Sequence, residues 1–447
     1  MIMNASIRRA VFGVTLTVAA TAAQAEGDGS KPYRMFENPE PHTGISSSGF
    51  VWLGFSTNSN TSHDTATGAN STGPMVGPAD EGLQFNRVQW TLERRLKANL
   101  LSRMGPLPGP TATEWDWGMR MDMVYGRDGI HTLVNGFDAD WGVNRAPSDD
   151  PNGKSRQNYL GFANLYAQIY APYGEGVVLT IGRFMTGIGH LLPTTGGYDP
   201  SQFYSRTYAF ASQPIEAVGA LASANVMRGE RGLMAAELGI VNGRANWQDN
   251  NNDKSVIGAL RWRSPEMRWR VDYGFMTGAE QTEPGYPTQM PFHRVSSPRN
   301  QNRQHHSLTM IYNASEALGM HVEYLRGRQD GDGKADTVDI FDGPYYKGGA
   351  YYGVNAGMRY RLSPQMTAGV RAEVFNDTRG VATFPNTMAR GRFHGVTTGI
   401  SYALTPNVVL RPELRYDWQT DRGVLKAFGD HTKQQQTTLS VDARIYF

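Results

Sequence analysis

The residues with the clearest spacing for chemistry are aspartates in a polar segment between two alternating stretches. Asp330 and Asp332 precede Gly333, and Asp339 follows. Closely spaced carboxylates with a glycine at the bend resemble the start of an oxygen-ligand calcium loop. In that register Arg328 stands where the first ligand is needed, and Asp339 is shorter than the usual closing glutamate. The segment allows a weak calcium site at Asp330, Asp332 and Asp339, and a solvated turn is the alternative.

The sequence contains few other motifs for catalysis or for cofactor binding. The chain of 447 residues has no cysteine, which excludes disulfide scaffolds, iron–sulfur clusters and thiol catalysis. No Gly-x-Ser-x-Gly, His-Glu-x-x-His or phosphate-binding glycine loop occurs. We therefore expect no cofactor and no enzyme. A barrel esterase or phospholipase stays as a rival, because a Ser/His pair is assembled in space rather than in sequence.

The N-terminus carries a targeting signal. Arg8 and Arg9 precede an apolar run, and Ala23 and Ala25 supply the small residues of a cleavage site. This pattern predicts a signal peptide over residues 1–25. Without it, basic and acidic residues are equal in number, which argues against a nucleic-acid partner. Residues 26–46 are then a short periplasmic segment.

Period-two alternation dominates the rest of the chain and predicts strands. In the clearest stretch one face is apolar: Trp115, Trp117, Met119, Met121, Met123 and Tyr125. The other face is small or charged: Glu114, Asp116, Gly118, Arg120 and Asp122. Apolar stripes of about 9–11 residues match the length of a tilted strand that crosses a membrane. The pattern predicts an all-β fold, a transmembrane antiparallel β-barrel over 47–447.

Connections between the strands alternate between short and long. Strands are predicted at about 47–57, 83–94, 114–125, 160–171, 177–185, 214–226, 231–242, 254–263, 267–277, 305–313, 317–328, 348–361, 365–376, 391–403, 407–418 and 435–447. The count is 16 if the run 204–210 is a loop, and otherwise 17, which one further error would make 18. The stretch 95–113 does not fit, because a short turn is expected there.

The predicted topology implies a location. Outer-membrane barrels have short periplasmic turns, longer outer loops and an even number of strands. A sheet in lipid has to close, because an open edge would leave backbone groups unpaired. Sixteen strands make a ring wide enough for an aqueous channel. We therefore expect a protein of the bacterial outer membrane, surrounded by outer-membrane lipid in a Gram-negative cell.

Three segments carry a resemblance to a known family. They are Gly182–His190, Pro200–Phe210 and Asn242–Lys254. They are similar to the Gly-Lys/Arg-Phe strand, the Tyr-Ser-Arg/His loop and the Asn-Gly-Trp-Asp element of the OmpL-like putative β-barrel porin-2 family. This chain departs at His190, where the family often has an acid, and at Trp247, which is displaced. The resemblance implies an outer-membrane porin for passive diffusion of small hydrophilic solutes or ions.

Porins of this kind commonly fold the third outer loop into the lumen, where it tunes selectivity through pore width and polar side chains. Residues 186–213 hold that place in the predicted topology. The candidates for a pore constriction are His190, Tyr198, Asp199, Tyr204, Arg206 and Tyr208. The alternative is that these residues brace the loop against the barrel wall.

The predicted lumen face is rich in charge. Its basic candidates include Arg120, Arg261, Arg263, Arg268, Arg270, Arg359, Arg361, Arg371, Arg411, Arg415 and Arg444. Its acidic candidates are Glu114, Asp116, Asp122, Asp272, Glu323, Glu373, Glu413, Asp417 and Asp442. The excess of arginine on the later strands favours anions, unless these arginines simply pair with acids on neighbouring strands.

The C-terminal Phe447 follows alternate apolar residues, a pattern that resembles the signal read by the barrel-assembly machinery. The partners expected are that machinery, lipid and small hydrophilic solutes, and a homotrimer is allowed by the size of the chain. A substrate-specific channel for a sugar, organic acid or metal species is the main alternative. A barrel adhesin with a plugged lumen is another.

Overall fold

The strands have an exterior that is apolar and an interior that is polar. On the strand that spans Leu318–Asp330, Val322 and Tyr324 are 42% and 43% exposed, whereas Glu323 between them is fully buried. This burial pattern is the reverse of that in a soluble sheet, where apolar side chains are buried. It is the pattern expected when lipid lies outside the sheet and a polar lumen lies inside.

The computed structural model describes residues 44–60, 82–144, 158–190, 202–249, 251–280, 300–331, 333, 347–382, 390–421, 425–429 and 432–447. Its strands are β1 Ser46–Asn58, β2 Gly82–Arg94, β3 Leu100–Leu101, β4 Gly105–Pro106, β5 Asp116–Gly126, β6 Tyr159–Ala171, β7 Val177–Met185, β8 Glu216–Gly229, β9 Gly232–Arg244, β10 Ser255–Arg263, β11 Trp269–Ala279, β12 Asn302–Asn313, β13 Leu318–Asp330, β14 Gly348–Arg361, β15 Met366–Asp377, β16 Gly391–Thr405, β17 Val408–Gln419 and β18 Gln435–Tyr446.

Sixteen of these strands form one closed antiparallel barrel, in which each strand pairs with its neighbours along the chain and β1 pairs with β18. This confirms the predicted fold class. The run 204–210 is not a strand, because its second half enters the short helix α1, Tyr208–Ser212, so the count is 16 rather than 17 or 18. Within the described residues, no helix is long and apolar enough to span a membrane.

The stretch 95–115, which sequence alternation did not explain, contains a small structure of its own. β3 and β4 pair with each other and not with the barrel, so this connection is a hairpin rather than a simple turn. The strand predicted from residue 114 begins instead at Asp116. We call residues 95–115 the inner hairpin.

The barrel closes at its first and last strands. The backbone N–H of Phe447 donates to the carbonyl of Gly49 at 2.9 Å, and the N–H of Gly49 donates to the carbonyl of Phe447 at 2.8 Å. The Phe447 ring lies so close to Gly49 that a β-carbon there would be 2.6 Å from it. The C-terminal residue therefore belongs to the seam of the barrel.

Phe447→Asp is expected to impair assembly, because it places a charge beside the seam and removes the ring that packs on Gly49. The measurement is the fraction of protein in the outer membrane that shows the heat-dependent gel shift of a folded barrel. Phe447→Tyr, which keeps the ring, serves as the control and should assemble normally. An unchanged folded fraction for Phe447→Asp would refute the expectation.

Candidate functional site in the barrel lumen

The third loop connects β7 and β8, and its described residues, 186–190 and 202–215, lie inside the lumen. At its base the N–H of Thr186 donates to the carbonyl of Ile215 at 2.9 Å. The fully buried Glu323 of β13 then holds both arms of the loop. Its Oε1 accepts hydrogen bonds from the backbone of His190 at 3.1 Å and from the Gln213 amide at 3.2 Å. One wall carboxylate thus fixes the entry and the exit of the loop.

Residues 205–208 of the third loop contact the opposite wall. The backbone N–H of Ser205 donates to both oxygens of Glu413, at 3.1 and 3.2 Å, and that of Tyr208 donates to Glu373 at 2.7 Å. In return, Arg371 donates to the carbonyl of Ser205 at 3.0 Å. Arg415 donates to the Arg206 carbonyl at 2.7 Å. Charged wall residues therefore supply the partners that the loop backbone needs in a buried setting.

Tyr204 anchors the third loop to β1 and β2. The Tyr204 ring packs edge-on against Trp52 at 5.6 Å, and its hydroxyl accepts a hydrogen bond from the Asn86 amide at 2.8 Å. Gly54 makes this approach feasible, since a β-carbon there would lie 2.0 Å from the Tyr204 hydroxyl. Burial of the Tyr204 hydroxyl raises its pKa well above the usual range, and the hydrogen bond from Asn86 opposes this only partly.

Three of the predicted constriction residues brace the loop instead of lining open space. Tyr204 and Tyr208 are fully buried and Arg206 is 2% exposed. The Tyr208 hydroxyl donates to Asp417 at 2.9 Å. The expectation that these three line a constriction is corrected, because their polar atoms are used to dock the loop. His190 does border open space, and Tyr198 and Asp199 lie outside the described residues.

The inner hairpin occupies the lumen on the side of β6–β10. Its tip residue Arg103 has a left-handed backbone, with φ of 66°, and is 7% exposed. The Arg103 guanidinium donates to Asn164 at 3.0 Å and to the Tyr166 hydroxyl at 2.6 Å. It also donates to the carbonyl of Met185 at 2.9 Å. The hairpin is therefore tied to the wall through the side chain of one arginine.

The inner hairpin and the third loop meet inside the barrel. Glu237 of β9 accepts from the backbone N–H of Arg103 and, at 3.0 Å, from Arg261. The same Arg261 guanidinium donates to the carbonyl of Gly187 at 3.2 Å. A β-carbon at Gly187 would lie 2.9 Å from Arg103. Glu237 and Arg261 thus join the two inserted segments to each other and to the wall.

Most of the predicted wall charges are buried in ion pairs. Arg120 pairs with Glu93 at 2.9 Å and with Asp122 at 2.8 Å. Further pairs are Arg94–Asp116 at 2.8 Å, Arg270–Asp272 at 2.5 Å, Arg411–Asp442 at 2.5 Å, Arg415–Glu373 at 2.9 Å and Arg415–Asp417 at 2.7 Å. Arg444 lies over the Trp52 ring at 4.3 Å. The alternative interpretation, in which these arginines hold the wall together, therefore applies to most of them.

Three predicted wall residues lie at the short-turn end instead. Glu114 is exposed two residues before β5, and Arg268 is exposed in the turn before β11. Arg361 ends β14, exposed, and pairs with Glu316 at 3.3 Å. Their assignment to the lumen wall is corrected, because the period-two alternation in the sequence continues beyond the strand into exposed residues of the turns.

A cavity of about 360 Å³ lies between the third loop and the short-turn ends of β10–β15. Gln202 and Phe203 of the loop border it on one side. Its basic and imidazole side chains are His190, Arg263, Arg270, His321, Arg359 and Arg371. Among the residues that the structure describes, no carboxylate lines it. The cavity is therefore a strongly basic compartment.

The calcium site at Asp330, Asp332 and Asp339 stays a prediction. Asp330 ends β13, where it pairs with Arg328 at 2.8 Å, whereas Asp332 and Asp339 lie outside the described residues. In the described part of the chain, no group of three or more His, Cys, Asp or Glu side chains is placed to hold a metal ion.

Sequence reasoning did not single out Arg103, Glu237 or His321. Glu237 had a signal, because it is an isolated acid within the apolar stretch of β9. His321 shares the inward face of Glu323 two residues away. The only sign of Arg103 was the unexplained length of its connection, which gives no reason to choose that residue.

Comparisons with known proteins agree with this architecture. Residues 44–447 match the family model described as putative beta-barrel porin-2, OmpL-like. The outer membrane channel DcaP of Acinetobacter baumannii is similar in structure, with a TM-score of 0.50 and 9% identity over 90% of this chain and 97% of that one. OmpF of Salmonella typhi, in complex with daunomycin, gives 0.50 and 8%, with coverages of 90% and 97%.

An anion-selective porin from Comamonas acidovorans gives a TM-score of 0.49 and 12% identity, over 90% of this chain and 99% of that one. No curated protein matches the chain significantly in sequence. At such low identities the structural likeness shows the fold alone.

Arg103→Ala is expected to release the inner hairpin, because it removes the charged donor that ties the tip to Asn164, Tyr166 and Met185. Hydrogen bonds from a charged group contribute about 1.5–3 kcal/mol, so amide exchange over 99–107 should accelerate roughly ten- to a hundredfold. Hydrogen–deuterium exchange of the folded barrel measures this.

The matched control for that variant is Arg95→Ala. Arg95 lies in the same connection, but its side chain is 73% exposed and pairs with Glu93 near the turn. Exchange over 99–107 should change by less than about twofold, since exposed ion pairs contribute little. Equal acceleration in both variants would contradict the anchoring role of Arg103.

Proposed function

Because this chain belongs to the putative beta-barrel porin-2, OmpL-like family, we propose that it is a water-filled channel through which small hydrophilic solutes and ions diffuse passively. It is a β-barrel protein of the bacterial outer membrane, and the family and the fold fit a channel rather than an enzyme. The observation that carries the proposal is the inverted wall, with charged groups inside and apolar groups outside a ring of sixteen strands.

Ring size supports the proposal. Wall side chains can fill the interior of an eight-stranded barrel, whereas rings of sixteen strands leave an aqueous space. Here the third loop and the inner hairpin take up part of that space, and both are held by fixed ion pairs and hydrogen bonds. A fixed, polar and narrowed passage sorts solutes by size and charge without chemistry.

A substrate-specific channel is the second candidate, and one observation favours it. The basic cavity brings four arginines and two histidines to one side of the third loop. Such a field attracts anions and disfavours cations. A homotrimer, and recognition of Phe447 by the assembly machinery, remain predictions.

Purified protein in a planar bilayer is expected to give stable open steps in KCl. Under a salt gradient the reversal potential should indicate that chloride permeates more readily than potassium, because the cavity lining is basic. The preference should weaken at high salt, where charges are screened beyond roughly 3 Å at 1 M. A correctly folded barrel, judged by its heat-dependent gel shift, that conducts no current would contradict the channel proposal.

A further inference from the structure

The positive charge of the arginines around the basic cavity exceeds the negative charge of the carboxylates that pair with them. Arg263 and Arg270 share one acid, Asp272, at 2.6 and 2.5 Å. Asp272 also lies 3.7 Å from Arg261. Arg261 has its own partner, Glu237 at 3.0 Å, so Asp272 is the one carboxylate paired with the two cavity arginines Arg263 and Arg270, and the cavity retains a positive charge.

The two remaining arginines make no ion pair within the described residues. Arg371 is 2% exposed and donates to neutral oxygens, the carbonyl and hydroxyl of Ser205 and the hydroxyl of Thr397, at 3.0–3.2 Å. Arg359 is exposed to the cavity near the end of β14. The acids that act on Arg371 from a distance are shared, since Glu373 pairs with Arg415 and Glu413 accepts from the loop backbone. Incompletely balanced buried cations are costly, so a further anion would stabilise this arrangement.

Three polar atoms at the cavity are buried and have no hydrogen-bond partner among the described residues. They are Nε of Arg371, Nδ1 of His190 and Nε2 of His321. The two imidazole rings stack, with centroids 3.8 Å apart and planes at 18°. Buried polar atoms in native proteins are nearly always paired, so these three atoms are available to water or to a ligand inside the cavity.

His190 supplies hydrogen-bonding capacity rather than charge. Burial lowers its pKa well below the usual range, and the neighbouring His321 ring and the charges of Arg270, Arg371 and Arg359 lower it further. The ring is therefore neutral at pH 7 and can donate through one nitrogen. The positive charge of the cavity comes from its four arginines.

We propose that this cavity is a binding site for a small multivalent oxyanion, with Arg359 and Arg371 as its principal ligands and His190 and His321 as hydrogen-bonding groups. This inference rests on the proposed channel function and names the solute class that the channel would hold longest. Guanidinium groups bind phosphate and carboxylate oxygens through paired N–H donors, which fits the oxyanion class better than halide.

The size of the cavity suits this class. A volume of about 360 Å³ corresponds to roughly twelve water molecules at about 30 Å³ each. An oxyanion such as phosphate fits with part of its hydration shell. A bound ion therefore need not lose all its water.

The decisive comparison uses two arginines on one strand. Arg359 lines the cavity, whereas Arg361 lies on the same face two residues nearer the turn, exposed and paired with Glu316. Arg359→Glu and Arg361→Glu alter the net charge equally. Binding of inorganic phosphate is measured by calorimetry on the folded, detergent-solubilised barrel, at constant ionic strength with chloride as the competing salt.

We expect wild-type protein to bind phosphate, Arg359→Glu to bind at least about tenfold more weakly, and Arg361→Glu to differ by less than about twofold. Arg359→Gln, which removes the charge without reversing it, should also weaken binding and covers the case in which Arg359→Glu fails to fold. No measurable binding by wild type, or equal loss in both glutamate variants, would overturn the site and leave only a diffuse basic field.

Current recordings separate this inference from the proposed function. If the barrel conducts KCl and phosphate shortens its open events in wild type but not in Arg359→Glu, both hold. If it conducts and phosphate neither binds nor interrupts the current, the oxyanion site is wrong while the channel stands. If it conducts nothing and yet binds phosphate with the expected dependence on Arg359, the channel proposal fails and the site stands.

Discussion

A β-sheet surrounded by lipid has to close on itself, because hydrocarbon offers no partner for a free backbone N–H or carbonyl. In this chain closure occurs between β1 and β18, and it includes the terminal Phe447. A ring of sixteen strands is too wide for its own side chains to fill. Closure therefore creates an interior space that the wall side chains leave open. The third loop and the inner hairpin occupy part of this space.

Both inserted segments bring backbone groups into a buried space, where each unpaired group is costly. Charged side chains of the wall form hydrogen bonds with these backbone groups. Glutamates accept from loop N–H groups, as Glu413 does for Ser205, and arginines donate to loop carbonyls, as Arg415 does for Arg206. Charge-assisted hydrogen bonds are roughly twice as strong as neutral ones, which suits them to fixing a loop that has no strand neighbour. The same charges that make the lumen polar therefore also determine its shape.

The barrel could be predicted from the sequence because alternation and turn residues are local signals, each readable within about ten residues. All sixteen predicted strands are present, and the third loop does enter the lumen. The roles of side chains within the site could not be predicted in this way, because they depend on partners that are distant in sequence. Tyr208 looks the same in sequence whether it faces water or donates to Asp417, and its partner lies 209 residues away. The excess of arginine was visible, but the sequence could not distinguish Arg415, which is neutralised and docks the loop, from Arg359, which faces the cavity.

The two inserted segments also differ in how far along the chain their bonding partners lie. The inner hairpin bonds to β6 and β9, at separations of 61 and 134 residues, and Arg263 of β10 donates to the carbonyl of Met104 at 2.6 Å. Ser205 of the third loop bonds to β17, 208 residues away. The partners of the inner hairpin therefore lie on strands that precede β11, whereas the third loop is held in place only when β15 and β17 are present in the closed ring.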